Sequence, residues 1–214
     1  SARECLDIAS TIYGGRQVKH AIERLEGEFP LLKELVEQIT PLRSLEQQIT
    51  YCIDEDGNLH DHASPTLKTI RSSIRSYETQ IRDRLNQFIR TKSKFLSDQI
   101  MTIRNDRYVL PIKHEYRSAI GGIVHDQSAS GQTLFMEPRV VVELNNQLQA
   151  TRAKEKQEIE RILRELSDII ASEEPALQVN LQALAEIDFI LARAKLARDM
   201  RAVKPVLNDR GIIK

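Results

Sequence analysis

Asp106-Arg-Tyr-Val-Leu-Pro-Ile-Lys-His114, Gly121-Gly-Ile-Val-His-Asp-Gln-Ser128 and Gln132-Thr-Leu-Phe-Met-Glu-Pro138 are three short runs rich in Val, Ile, Tyr, Phe and Thr. Gly121-Gly122 and Ser128-Ala-Ser-Gly131 separate them. Runs of this composition between turn residues predict small antiparallel strands. The sequence on both sides has helical periodicity, and the two flanking segments carry the longest helical patterns in the chain. A helix leading out to a small sheet, and a second returning from it, would make an arm with a tip.

Upstream, Ser64-Pro65 offers an N-cap oxygen and a proline at the first helical position. Leu67, Ile70, Ile74, Tyr77, Ile81, Leu85, Phe88, Phe95 or Leu96, Ile100 and Ile103 then recur at steps of three and four, with no Gly or Pro before Pro111. This predicts an outgoing helix over residues 64–104, roughly 60 Å long at about 1.5 Å per residue. Downstream, Val141, Leu144, Leu148, Thr151, Ile159, Ile162, Leu166 and Ile169 predict a returning helix over 139–172. Narrow apolar seams on both predict an antiparallel coiled coil. Lys92 and Glu155 interrupt the seam and predict local looseness or a bend.

Outside the arm, residues 1–63 and 173–203 read as two parts of one helical core. Leu6, Ile8, Ala9 and Ile12 form a first stripe that Gly14-Gly15 should end. Val18, Ala21, Ile22 and Leu25 form a second, and Leu31, Leu32, Leu35, Val36 and Ile39 a third. Thr40-Pro41 should restart a helix carrying Leu42, Leu45, Ile49 and Cys52. Glu173-Glu174-Pro175 should open a last helix with a broad apolar stripe from Leu177 to Leu196. Residues 204–214 read as an extended link towards a further domain. The fold class is therefore mainly α: a helical core and a coiled-coil lever, with a small antiparallel β clamp tip over 105–138.

Composition sets the bounds. Over 214 residues, aromatic content is 5 %, Trp is absent, 29 % of residues are charged and the formal net charge is zero. That suits elongated helices better than a large interior. Residues 1–63 hold 6 Lys/Arg against 12 Asp/Glu, whereas 64–104 hold 9 against 3, so the outgoing limb is basic. Two cysteines without metal-ligand spacing predict a reducing, cytoplasmic setting. No apolar run approaches the roughly 18 residues a membrane helix needs, and no signal sequence is expected. Both ends read as cut from something longer.

Chemistry has little to stand on. There is no glycine-rich phosphate loop, no HExxH, no paired CxxC and no nucleophile elbow. Asp54-Glu-Asp-Gly-Asn58 lacks the glycine position and distal Glu of a calcium loop and reads as a polar turn. His60 and His62 read as solvated loop residues. His114 and His125 lie on neighbouring predicted strands without a third ligand. No catalytic, cofactor or metal residue is assigned. At the tip, Arg104, Arg107, Lys113, His114 and Arg117, with Ser128 and Ser130 in the turn, are candidate contacts to a phosphate backbone, which such groups hold without reading bases. Acidic neighbours (Asp106, Glu115, Asp126, Glu137) leave the tip neutral, so tight non-specific binding by the tip alone is not expected.

The runs Arg107-Tyr-Val-Leu-Pro-Ile-Lys113, Gly122 to Pro138 and Val142-Glu-Leu-Asn-Asn146, with Ser64-Pro65 and the closing Pro205 to Ile213 stretch, resemble the second bacterial branch of the MutS proteins, the branch bearing a C-terminal Smr nuclease domain. The resemblance covers essentially the whole chain. It implies most of the core, with lever and clamp between, stopping where an ATPase would begin. ATP and magnesium are implied only for that ATPase, and nuclease residues only for the Smr domain. No counterpart of either domain is present, so this segment is expected to be non-catalytic. The implied partners are branched DNA, with suppression of homologous recombination, or the ribosome and its RNA during rescue of collided ribosomes. A homodimer of the full protein in a bacterial cytoplasm is also implied. An interaction arm without nucleic acid is the remaining alternative.

Overall fold

The computed structural model describes residues 1–203, so the link reading of 204–214 lies outside the described residues. The described residues are mainly helical and include a four-stranded antiparallel sheet. It divides into two compact units. One comprises residues 1–58 with the described residues from Glu165 on, and the other Leu59–Arg164.

In the first unit, Ser1 caps helix α1 (Ala2–Glu23) in a reciprocal arrangement with Glu4. Helices α2 (Pro30–Glu37) and α3 (Arg43–Cys52) follow, and α7 (Glu174–Asp199) closes the unit. Gly14-Gly15 does not end a helix, contrary to the sequence expectation, because α1 runs straight through it. Gly15 is buried where a Cβ would stand 3.4 Å from Leu184 Cδ1 and 3.7 Å from Ile39 Cγ2. The glycine there serves close packing on α7 rather than a turn. Ile22, Val36, Ile39, Ala183 and Ile187 form the core of this unit. Asn180, buried on α7, accepts from Thr40 N and donates to Thr40 O, both at 2.8 Å, and so satisfies the backbone where α2 has ended. Arg16 forks onto Glu46 and ties α1 to α3. Cys5 and Cys52 are free, and burial pushes both thiols up.

In the second unit, Ser64 and Pro65 open α4 (Pro65–Thr91) as expected, with Ser64 Oγ accepting from Leu67 N at 2.9 Å. The helix ends at Thr91, not at 104. Lys92 leaves helical geometry, Ser93–Phe95 form a tight turn, and Thr102–Arg104 form strand β1. The three–four periodicity continued past Lys92 only by coincidence. Leu96 is buried among the sheet residues and bridges Ile112, and Ser97 N donates to Pro111 O. Ser93, Ser97 and Asp98 favour such local turns over a helix interior.

The sheet has the order β1–β2–β4–β3, with β2 (Arg107–Lys113), β3 (Gly122–Gln127) and β4 (Thr133–Pro138). A short helix α5 (Arg117–Ile120) lies between β2 and β3, and β4 runs directly into α6 (Arg139–Ser172). Leu110 faces Met136 and Ile112 faces Leu134 across β2 and β4. These side chains pack with Ile81, Leu85 and Phe88 of α4 and with Val141, Leu144 and Leu148 of α6 as one core. The alternation of strand and helix periods sends one sheet face and two helix stripes to the same interior.

Polar side chains join α4 to α6 as well. Glu78 meets Arg152 at 2.8 Å, Arg71 meets Glu155 at 2.7 Å, and Ser64 Oγ donates to Glu158 at 2.7 Å. Glu155, which the seam reading left as an interruption, is therefore paired. Arg71 also donates to Asp61 and to Leu59 O, and its guanidinium holds the Asp61 carboxyl below its usual range. In the preceding turn Asp54 Oδ1 accepts from Asp56 N and Asn58 N. That is turn chemistry, as the sequence suggested.

Candidate nucleic-acid interface

The tip residues singled out in the sequence separate into three groups. The first group holds the fold. Arg107 opens β2, with Nη1 on Glu137 Oε1 at 3.1 Å and Nη2 on Asn146 Oδ1 at 2.7 Å. Glu137 is completely buried. Its Oε1 also accepts from Asn145 Nδ2 at 2.7 Å, and its Oε2 lies 2.7 Å from His125 Nε2. His125 is the extra residue of a bulge between Val124 and Asp126. The bulge takes it out of the ladder and turns its ring onto Glu137. Asn145, itself fully buried, bonds both the N–H and the carbonyl of Tyr108. It serves the strand end that β4 no longer pairs once it has become α6. Arg104 is held by Asp126 at 3.1 Å and lies over the Phe135 ring at 4.4 Å.

The second group builds the turn between β3 and β4. Ser128 Oγ accepts from Thr133 N at 3.1 Å and lies 3.3 Å from Ser130 Oγ, while Gly131, at φ 71°, donates to Ser128 O. These hydroxyls bond within the turn and shape it.

The third group is free. Lys113, His114 and Arg117 are exposed, and none of their side chains has a hydrogen-bond or ion-pair partner among the described residues. Lys113 pairs in register with Thr133, and His114 N donates to Gln132 O, which sets both beside the Ser128–Gly131 turn. Arg117 begins α5 three residues later. Exposed Lys and Arg side chains beside backbone amides at a sheet end can hold phosphate oxygens. His114 and His125 are not brought together as a ligand pair, since His125 is on Glu137. Among the described residues no cluster of three or more His, Cys, Asp or Glu side chains is placed to hold a metal ion.

Much of the basic outgoing limb is also engaged. Arg71 and Arg75 sit on Asp61, and Lys92 and Lys94 lie over Phe88 and Phe95. The Glu137 network was not foreseen. Its signal was a carboxylate inside the apolar run Leu134-Phe-Met-Glu-Pro138, which needs a buried cation to be tolerated. No helix among the described residues is long and apolar enough to cross a membrane.

No protein-family model matches the chain. Individual proteins do. A protein named endonuclease MutS2 from Halalkalibacterium halodurans is 55 % identical over 218 aligned residues, covering 99 % of this chain. One of the same name from Geobacillus is 54 % identical over the whole chain, and the putative endonuclease MutS2 of Bacillus subtilis is 47 % identical over the whole chain. The chain spans 28 % of the length of each of these relatives.

Proposed function

The chain belongs to the MutS2 family, and from that premise we propose that it is a non-catalytic core, lever and clamp segment that grips a nucleic-acid backbone at the sheet end. The observation that carries this reading is the set Lys113, His114 and Arg117. These side chains stand exposed and unpaired beside the Ser128–Gly131 turn, while Arg104 and Arg107 are held within the fold. Cations and backbone amides of this kind bind phosphates with little base selectivity. The name endonuclease given to the relatives fits a nucleic-acid client for the longer protein. Branched DNA, with suppression of homologous recombination, is the first client proposed.

In the same reading α4 and α6 act as a lever. The cross-links at Ser64–Glu158, Arg71–Glu155 and Glu78–Arg152 support it by making the pair move as one body. ATP and magnesium belong to an ATPase outside this segment, which would supply the motion as part of a homodimer. Ribosomal RNA offers the same phosphodiester chemistry, so a collided-ribosome client remains the alternative.

The test is a titration of the longer protein on four-way DNA junctions and on collided ribosomes, with Lys113, His114 and Arg117 changed to Ala. Loss of junction binding supports recombination control, and loss of ribosome binding supports rescue. No change on either would leave α4, α6 and the sheet as an interaction arm.

A further inference from the structure

A second basic feature of the Leu59–Arg164 unit brings together residues from three separate segments. A cleft of about 410 Å³ lies between the C-terminal half of α4, the end of α5 and the start of α6. Arg84, Lys92 and Arg139 line it, with Gln87, Thr91 and Ile120. No carboxylate lines it. The nearest acid along α6, Glu143, accepts from Gln147 at 3.0 Å. All three cations are exposed. Arg84 is positioned by a 3.0 Å bond to Val140 O, and the Lys92 ammonium lies 5.2 Å from the centre of the Phe88 ring. The Arg139 side chain has no partner among the described residues.

Three like charges converging on an open cleft repel one another unless an anion sits among them. A cleft walled by guanidinium and ammonium groups, with an amide and a hydroxyl alongside, suits the tetrahedral oxygens of a phosphate. Helix α5 carries residues of both the cleft and the sheet end. Ile120, which lines it, is three residues along α5 from Arg117, and residues at that spacing lie on one side of a helical turn.

We propose that the Arg84–Lys92–Arg139 cleft is a second phosphodiester site, holding a strand that continues from Lys113 and Arg117. The proposal rests on the nucleic-acid reading above and extends its single cluster of contacts into a track. The strand would run along the side of α5 that carries Arg117 and Ile120, and its phosphates rather than its bases would be held.

The experiment uses the 214-residue chain and fluorescence anisotropy with short single-stranded oligonucleotides, one DNA and one RNA, at several salt concentrations. The first variant is Lys92→Ala with Arg139→Ala, which leaves the Arg84–Val140 bond in place. The second is Gln87→Glu, which adds one negative charge to the cleft and keeps side-chain size. A third, Lys113→Ala with Arg117→Ala, reports on the sheet end alone.

The cleft predicts about a tenfold loss for the first variant at low salt. It also predicts a fall of roughly one to two in the slope of log affinity against log salt, since each phosphate contact contributes about 0.7–0.9. Gln87→Glu should weaken binding about threefold with an unchanged thermal midpoint. A loss on either DNA or RNA supports the site. If both cleft variants bind like the parent while the third is weakened, the cleft is refuted and the sheet-end reading stands. If the cleft variants lose affinity and the third does not, the cleft stands without the sheet end. Failure of the parent chain to bind either oligonucleotide at low salt overturns both.

Discussion

Arg107 Nη1 lies 3.1 Å from Oε1 of Glu137, a carboxylate with no solvent exposure. The pair locks the start of β2 to the end of β4 and, through Asn145 and Asn146, to α6. A charge in that position needs its partner, because removing one member of a buried pair leaves the other unsatisfied. Arg107→Ala should therefore destabilise the chain by about 2–4 kcal/mol, somewhat below the fully buried case because Arg107 retains some exposure. Urea denaturation followed by circular dichroism measures it. Glu137→Gln keeps the shape and should cost less.

Gly122 adopts φ 130°, and a Cβ there would run into the carbonyl of Glu137 in the paired strand. Gly122→Ala should lower the thermal midpoint of the chain by several degrees, since both the backbone conformation and the ladder would have to shift. Gly131→Ala, with open space around its α-carbon, should lower it less. The comparison of the two midpoints separates crowding from conformational strain.

Glu158 gives a pH dependence with a defined sign. Hydrogen bonds from Arg161 and Ser64 hold its carboxyl at about 2, below the ordinary 4.5. A carboxyl depressed by folding contributes stability that is complete above its unfolded value and is lost as pH falls through its folded one. The contribution is on the order of 2 kcal/mol, discounted because Arg161 is half exposed. The stability gap between the parent and Glu158→Gln should be full near neutral pH. It should narrow below about pH 4.5 and close near pH 2. A gap that does not change with pH would remove the charge from the explanation.

Leu85 is completely buried where α4 meets the sheet and α6. Leu85→Ala should cost about 2–5 kcal/mol through lost transfer energy and the cavity left behind. Leu191→Ala, at an exposed position on α7, should change stability by less than about 0.5 kcal/mol. Equilibrium unfolding of the two variants checks the assignment of the core.

Much of the fold was legible because local signals and burial agreed. Ser64-Pro65 caps α4, the three apolar runs became β2, β3 and β4, and Glu173 with Pro175 opens α7. Where tertiary packing overrode a local signal, the reading failed. Gly15 serves an approach to Leu184 rather than a turn, and Leu96 joins the sheet core although its spacing continued the α4 stripe. The candidate site was legible in composition but not in partnership. Arg104, Arg107, Lys113 and Arg117 look alike in sequence. Glu137 lies thirty residues from Arg107 and Asp126 twenty-two from Arg104, so only the fold distinguishes the bonded cations from the free ones.

The most direct test of that distinction measures binding and stability together, on branched DNA, for Lys113→Ala with Arg117→Ala against Arg107→Ala. The free-cation account predicts weaker, less salt-dependent binding at an unchanged thermal midpoint for the first variant. For Arg107→Ala it predicts a lowered midpoint, with parental affinity at temperatures where the chain is still folded. Parental binding by the first variant, or weakened binding by Arg107→Ala at unchanged stability, would contradict it.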